Sequence, residues 1–299
     1  MSEGDEPVES AVPMRSVGRL SDGLFRIVMI TVPGVYVLLI ALMLIADFGY
    51  MVTADADGGS AFMAALRQPS IQHSIILSMI SCSVVAVLSV IVAVPAGYVL
   101  ARMKFRGMAV IDAIVDIPIV LPPLVVGLSL LIMFQYPPLS TPLAKLLFFW
   151  DGDPNTSISR LVVYQVPAII LAQFMVAAAF AIRTMEACFA QMSPRTEEVA
   201  LTLGCSRFQA FRRVVLPEAD EGILTALTLA WARALGEFGP VLIFAGATEN
   251  KTEVLSTTVF MQLSVGDLKA AVAVSLIMVV AAMVVLLITR LWGRGRGTE

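Results

Sequence analysis

Five stretches of this chain stay apolar for longer than a soluble helix requires, and they decide what it can fold into. They cover residues 27–46, 75–100, 110–134, 161–182 and 270–289. At ~1.5 Å per residue, about 20 residues of helix cross a hydrocarbon core of about 30 Å. Inside that core every backbone N–H and C=O must be bonded within the segment, so runs of this length span as helices. Charge is correspondingly scarce. Only 14% of the 299 residues are Asp, Glu, Lys or Arg, against about 25% in an average soluble domain. The expected fold class is an all-α integral membrane protein.

A sixth segment, 222–246, carries Arg233 and Glu237 with Gly236 and Gly239 but is otherwise apolar, and it is read as a span. The third run is interrupted by Asp112, Asp116 and Pro122-Pro123. Suppose there are six spans and a cytoplasmic N-terminus. Fourteen of the 20 Lys and Arg then lie inside: Arg15, Arg19, Arg26, Arg102, Lys104, Arg106, Arg183, Arg195, Arg207, Arg212, Arg213, Arg290, Arg294 and Arg296. Arg67, Lys145, Arg160, Lys251 and Lys269 lie outside, and Arg233 lies within the bilayer. Basic residues concentrate on the cytoplasmic side of membrane proteins, so both termini are expected there. Removing the fifth span would carry Arg290, Arg294 and Arg296 outside.

Residues 1–20 begin acidic and turn basic, and disorder is expected there. The first span is longer than a signal-peptide core and lacks a small-x-small cleavage pattern, so an uncleaved anchor is expected. The transmembrane domain is placed at 21–293, followed by a short cytoplasmic tail at 294–299. No further soluble domain, internal repeat or low-complexity tract is read.

Much chemistry is excluded. The single histidine, His73, allows neither an HExxH zinc helix nor a Ser-His-Asp triad. No glycine precedes a lysine, so no phosphate-cradling GxxxxGK loop exists and the chain is not itself expected to hydrolyse ATP. Cys82, Cys188 and Cys205 lack metal-ligand spacing and are read as free thiols. No catalytic residue, metal ligand or resident cofactor is assigned, and nothing points to nucleic acid.

The least apolar long interior segment is 197–217, within a loop placed at 193–217. Ser193 can cap a helix with Pro194 at its first position, and Glu197 and Glu198 lie near the positive end of that helix dipole. Gly204 can adopt positive φ after the helix. Ser206 and Gln209 form a capping box for a second helix, which Pro217 is expected to end. Two short, firmly capped helices at the cytoplasmic surface make a stiff protrusion.

The order Glu198-x-Ala200, Gly204, Val214-x-Leu216-Pro217 resembles the E-A-A-x3-G-x9-I-x-L-P loop of ABC importer permeases, with Val199 and Val214 as conservative departures. The resemblance implies that the loop is a coupling helix docking on an ATPase, through Glu197, Glu198, Ala200, Gly204, Leu216 and Pro217. Two more segments resemble the molybdate, tungstate and sulfate group: DIPIVLPPLVVGLSLL from Asp116 and WARALGEFGPVLIFAG from Trp231. NKTEVLSTTVF resembles the sulfate-type KTExLP loop, with Ser256 where proline is common.

The residues also speak for themselves. Paired prolines inside a span free backbone groups, which is tolerated only against protein or a water-filled path. Pro122, Pro123 and Gly127 are therefore candidates for the translocation path, against the plainer reading of a kink. Arg233 and Glu237, four residues apart, can pair on one helix face. Intramembrane pairs usually face the bundle interior. This one would hold path helices together, neutralise the arginine so that anions are not trapped, or simply orient the fifth span. Gly236 and Gly239-Pro240 suggest a break there, usable as a gate. Asp112 and Asp116 are read as polar partners between helices or at the interface.

An intramembrane aspartyl protease would place its carboxylates on two facing helices, whereas Asp112 and Asp116 share one. An ion-gradient-driven transporter offers no reason for the 193–217 loop. The resemblance implies a fold of six transmembrane helices per subunit with a cytoplasmic coupling helix, paired with a second copy in the inner membrane. It implies two cytoplasmic ABC ATPase subunits carrying ATP and Mg, and an extracytoplasmic oxyanion-binding protein. The implied cargo is molybdate or tungstate, or alternatively sulfate or another small solute.

Overall fold

The computed structural model describes residues 18–54, 60–136 and 161–294. The tail up to residue 17, most of the 135–160 loop and residues 295–299 lie outside the described residues. Among the described residues the secondary structure is entirely helical. The chain divides into two units. The first holds helix α1, Gly18–Ala54, whose side chains from Phe25 to Leu39 are all exposed. It begins at Gly18, within the tail for which disorder is expected.

The second unit is built on α3, Pro69–Arg102, reached from a short α2, Ser60–Arg67. One face of α3 is buried and small: Ser74, Ser78, Ser81, Cys82, Ala86, Ser89, Ala93 and Gly97. Its other face, with Ile76, Ile80, Val87 and Ile91, is exposed. Between helices in a bilayer no apolar driving force remains, so close approach of small residues supplies the attraction. A Cβ on Gly97 would lie 2.7 Å from the Glu186 backbone nitrogen. That glycine lets α3 meet α6, Val166–Gln191, almost backbone to backbone. Helix α6 answers with Ala168, Ala172, Ala177, Ala178, Ala179 and Ala181.

The fourth expected span, 161–182, is displaced toward the C-terminus. Pro167 lies in the first turn, where its missing N–H costs nothing, so the helix starts at Val166. It then runs on through Arg183 and Glu186, whose charges are met by partners described below.

The third expected span is two helices, α4 (Met108–Val120) and α5 (Pro123–Gln135), whose axes differ by 111°. A residue before proline is pushed out of the helical region. Leu121 precedes Pro122 and Pro122 precedes Pro123, and both are extended, with ψ of 141° and 132°. The paired prolines therefore turn the chain sharply rather than kink one span.

The segment between α6 and the next long helix holds α7 (Pro194–Thr202), α8 (Arg207–Ala210), a π-helical turn (Phe211–Val215) and α9 (Leu216–Glu218). The fifth expected span is likewise divided, into α10 (Asp220–Leu235) and α11 (Gly239–Phe244). Then follow α12, Leu255–Val265, and α13, Leu268–Arg294. Helices α1, α3, α6 and α13 are each long and apolar enough to cross a membrane, and the α4–α5 pair passes the same measure jointly.

Candidate functional site

The segment at 193–218 is fixed by local bonds that its sequence spells out. Ser193 Oγ accepts from the Arg195 N–H at 3.4 Å. At the end of α7, Gly204 takes φ +90°. Its N–H donates to Leu201 O at 3.0 Å, and the Cys205 N–H donates to Ala200 O at 3.1 Å. That pattern is a Schellman C-cap, which needs a left-handed residue at this position. The capping box forms as expected: Ser206 N–H to Gln209 Oε1 at 2.9 Å, and Gln209 N–H to Ser206 Oγ at 3.3 Å.

Pro217 does not end the second helix. The chain stays helical through Glu218 and breaks at Ala219. Proline lacks the N–H that would bond four residues back. The turn ahead of it widens instead into the π form, with the Leu216 N–H reaching Phe211 O. Of the predicted coupling residues, Ala200 is buried, Glu197 and Leu216 are half-buried, and Glu198, Gly204 and Pro217 are exposed. Beside them Leu203 and Phe208 stand 80% and 71% exposed. Glu197 accepts a hydrogen bond from Tyr98 OH of α3 at 2.5 Å.

The predicted path residues come from two broken spans, and the fold brings several of them into one contact. A Cβ on Gly127 of α5 would lie 2.7 Å from Pro240 Cα of α11. A Cβ on Gly239 would lie 3.2 Å from Leu124 N and from Pro123 Cβ. Further along, the rings of Phe134 and Phe244 stack 5.3 Å apart. Pro122 and Pro123 are exposed, whereas Gly127 and Gly239 are buried.

Arg233 and Glu237 pair at 2.6 Å across the break between α10 and α11. The contact is electrostatic, without a well-angled hydrogen bond to Glu237 Oε1. Glu237 is only 1% exposed and Arg233 30%. The Arg233 guanidinium also lies over the Phe180 ring, 5.4 Å from its centroid. Carbonyls at the break also accept from side chains. Gln173 Nε2, buried on α6, donates to Ala234 O at 3.2 Å, and Ser256 Oγ donates to Glu237 O at 2.9 Å.

Sequence reasoning missed two partners here. Gln173 is one, although a glutamine inside an alanine-rich span is a visible signal. Arg183 is the other. It donates to Asp112 Oδ1 at 2.5 Å, Asp116 Oδ1 at 2.7 Å and Glu186 Oε2 at 2.6 Å. It thereby fastens α4, which has no buried residue of its own, to α6. Asp112 and Asp116 are thus polar partners between helices, as their spacing suggested.

Outside the spans, Glu253 is buried in the loop before α12. Desolvation by burial pushes its carboxyl above the usual range, with Glu249 adding to the rise, while the Thr258 hydroxyl and His73 oppose it. No group of His, Cys, Asp and Glu suited to a metal occurs among the described residues.

Comparison with known proteins places these features in a context. Residues 93–295 match the family described as "Binding-protein-dependent transport system inner membrane component". The sulfate transport system permease protein CysT of Escherichia coli (strain K12) is 28% identical over 254 residues, 85% of this chain and 88% of that one. The molybdenum transport system permease protein ModB of Mycobacterium tuberculosis is 34% identical over 226 residues, 76% of this chain and 81% of that one. The fold is shared with the crystal structure of a bacterial ABC transporter that imports the acidic polysaccharide alginate. There the TM-score is 0.69 at 18% identity, covering 94% of this chain and all of that one. The chain therefore belongs to the family of binding-protein-dependent transport system inner membrane components, the permeases of ABC importers.

Proposed function

We propose that this chain is the translocation subunit of an ATP-driven importer for a tetrahedral oxyanion, with molybdate or tungstate as cargo and sulfate as the alternative. The observation that carries the reading is the doubly capped protrusion at 193–218, with the importer-loop spacing and basic residues on the side read as cytoplasmic. Substrate class rests on relatives named for sulfate and molybdenum transport.

In this reading two copies pair around one path, with six crossings each and both termini inside. Two ATPase subunits carrying ATP and Mg dock on the two protrusions, using Glu197, Glu198, Ala200, Gly204, Leu216 and Pro217 and the exposed Leu203 and Phe208. A binding protein delivers the anion outside. Closure of the ATPases moves the protrusions, and the membrane helices rearrange where they are already discontinuous: at Pro122-Pro123 and at Gly236–Gly239. Arg233 would bind a dianion firmly in a medium of low dielectric constant. Pairing with Glu237 cancels that charge, so an anion can pass without being held.

The test is uptake of radiolabelled tungstate, molybdate and sulfate into vesicles holding the whole complex. The expected result is saturable, ATP-dependent uptake of at least one, unchanged by an uncoupler. Uptake of none of the three would remove the oxyanion reading, and collapse with the uncoupler would remove the ATP-driven one.

A further inference from the structure

Among the described residues, few hydrogen bonds join the 193–218 protrusion to the long helices around it. Ala200 is the one buried residue of α7. Thr196 Oγ1 reaches Glu218 Oε2 at 3.4 Å, but both belong to the protrusion itself. One bond leads out to α3, where Tyr98 OH donates to Glu197 Oε1 at 2.5 Å; a second, from Arg102 Nη2 to Met192 O at 2.8 Å, holds the end of α6 just ahead of the protrusion.

Tyr98 does more than donate one bond. Its ring meets Phe189 of α6 edge-on at 5.7 Å and 89°, and Phe211 of the π turn at 4.9 Å and 70°. One side chain thus touches α7, the π turn and α6 while belonging to α3. The residue just before it, Gly97, presses α3 onto the α6 backbone. A displacement of α7 that reaches Tyr98 therefore reaches the α3–α6 pair as a unit.

We propose that Tyr98 is the positioning residue that ties the protrusion to the membrane helices. Its hydroxyl holds α7 through Glu197, and its ring transfers the movement to α3 and α6. This inference rests on the transport reading for its purpose, but the tether itself does not.

Two measurements test it. In the full chain in lipid nanodiscs, Tyr98→Phe keeps both ring contacts and loses only the hydroxyl. Hydrogen exchange of residues 194–203 should rise about tenfold, the effect expected of a lost hydrogen bond to a charged group, while α3 and α6 stay unchanged. Glu197→Ala should do the same, Glu197→Gln should restore most protection, and the double change Tyr98→Phe/Glu197→Ala should add nothing to either single one. In the reconstituted complex, Tyr98→Phe should lower the anion imported per ATP hydrolysed several-fold, with ATPase binding intact. Unchanged exchange at 194–203, additive single effects, or a wild-type ratio of uptake to hydrolysis would overturn the proposal. If the unaltered complex imported no anion, the transport reading would fall, and the tether would still be judged by the exchange data.

Discussion

Gly127 and Pro240 meet so closely that a single methyl group on the glycine would fall 2.7 Å from the proline Cα. They come from two spans that the sequence shows only as separately interrupted. Their contact makes the two interruptions one place in the fold, where α5 rests on α11.

Adding a side chain at Gly127 should push those helices apart. Overpacking of this kind costs about 1–3 kcal/mol. Gly127→Ala should therefore lower the thermal midpoint of the purified chain, and Gly127→Val should lower it further. Gly34→Ala, where a Cβ meets nothing within 4 Å, should leave the midpoint unchanged or slightly higher. Fluorescence-detected size exclusion after heating reads the difference.

Removing one half of the Arg233–Glu237 pair leaves the other without its partner in a largely buried site. Loss of a partner from a buried pair costs about 3–5 kcal/mol. Arg233 is 30% exposed rather than fully buried, so Glu237→Leu should fall near the lower end. The double substitution Arg233→Leu/Glu237→Leu should recover much of that loss. Unfolding of Arg233→Leu, Glu237→Leu and the double variant in the same detergent decides the matter, and an additive double variant would rule out the coupling.

Gly204→Asp should leave membrane insertion intact and abolish ATP-coupled uptake. The left-handed backbone at φ +90° disfavours a side chain by about 1–2 kcal/mol. Among the described residues, nothing beyond its chain neighbours lies within 4 Å of the new Cβ. A strain that small does not unfold a protein, so complete loss of uptake would reflect a surface that must admit a partner closely. Co-purification of the ATPase with the variant is the direct measurement.

Glu253 should make stability fall as pH rises. Burial lifts its folded-state pKa above the unfolded value of about 4.3. Its favourable contribution is complete below that value and is lost as pH climbs through the folded pKa. Glu253→Gln keeps an acceptor for the Thr258 hydroxyl and removes the charge. It should be more stable than the parent at pH 8 and close to it at pH 4. Equal midpoints for the two proteins at pH 8 would refute this account.

The legible parts of this molecule are those written in adjacent residues. Ser193, Gly204 and the Ser206–Gln209 box each act within a few positions, and each stands as the sequence implied. The break at Pro122-Pro123 was legible for the same reason. Its 111° angle was not, because the direction of α5 is set by its seat on α11, more than a hundred residues away. Arg183 was counted as a simple cytoplasmic cation because Asp112 and Asp116 lie on another helix. Pro217 was misread because a widened turn can absorb its missing donor, and no local pattern announces such a turn. The role of Pro167 in starting α6 shows the opposite case: the signal was present, but the hydrophobic run beginning at Leu161 obscured it.

Stiffness is distributed very unevenly along this chain. The long helices are beams, locked side by side where glycine and alanine remove the gaps. Two of the apolar segments are instead interrupted by short joints, at 121–122 and 236–238. Helix α5 starts at Pro123 and α11 at Gly239, and those two residues touch across the fold. The joints are therefore not independent. A bend at one should change the footing of the other, so the two joints are expected to yield together rather than separately.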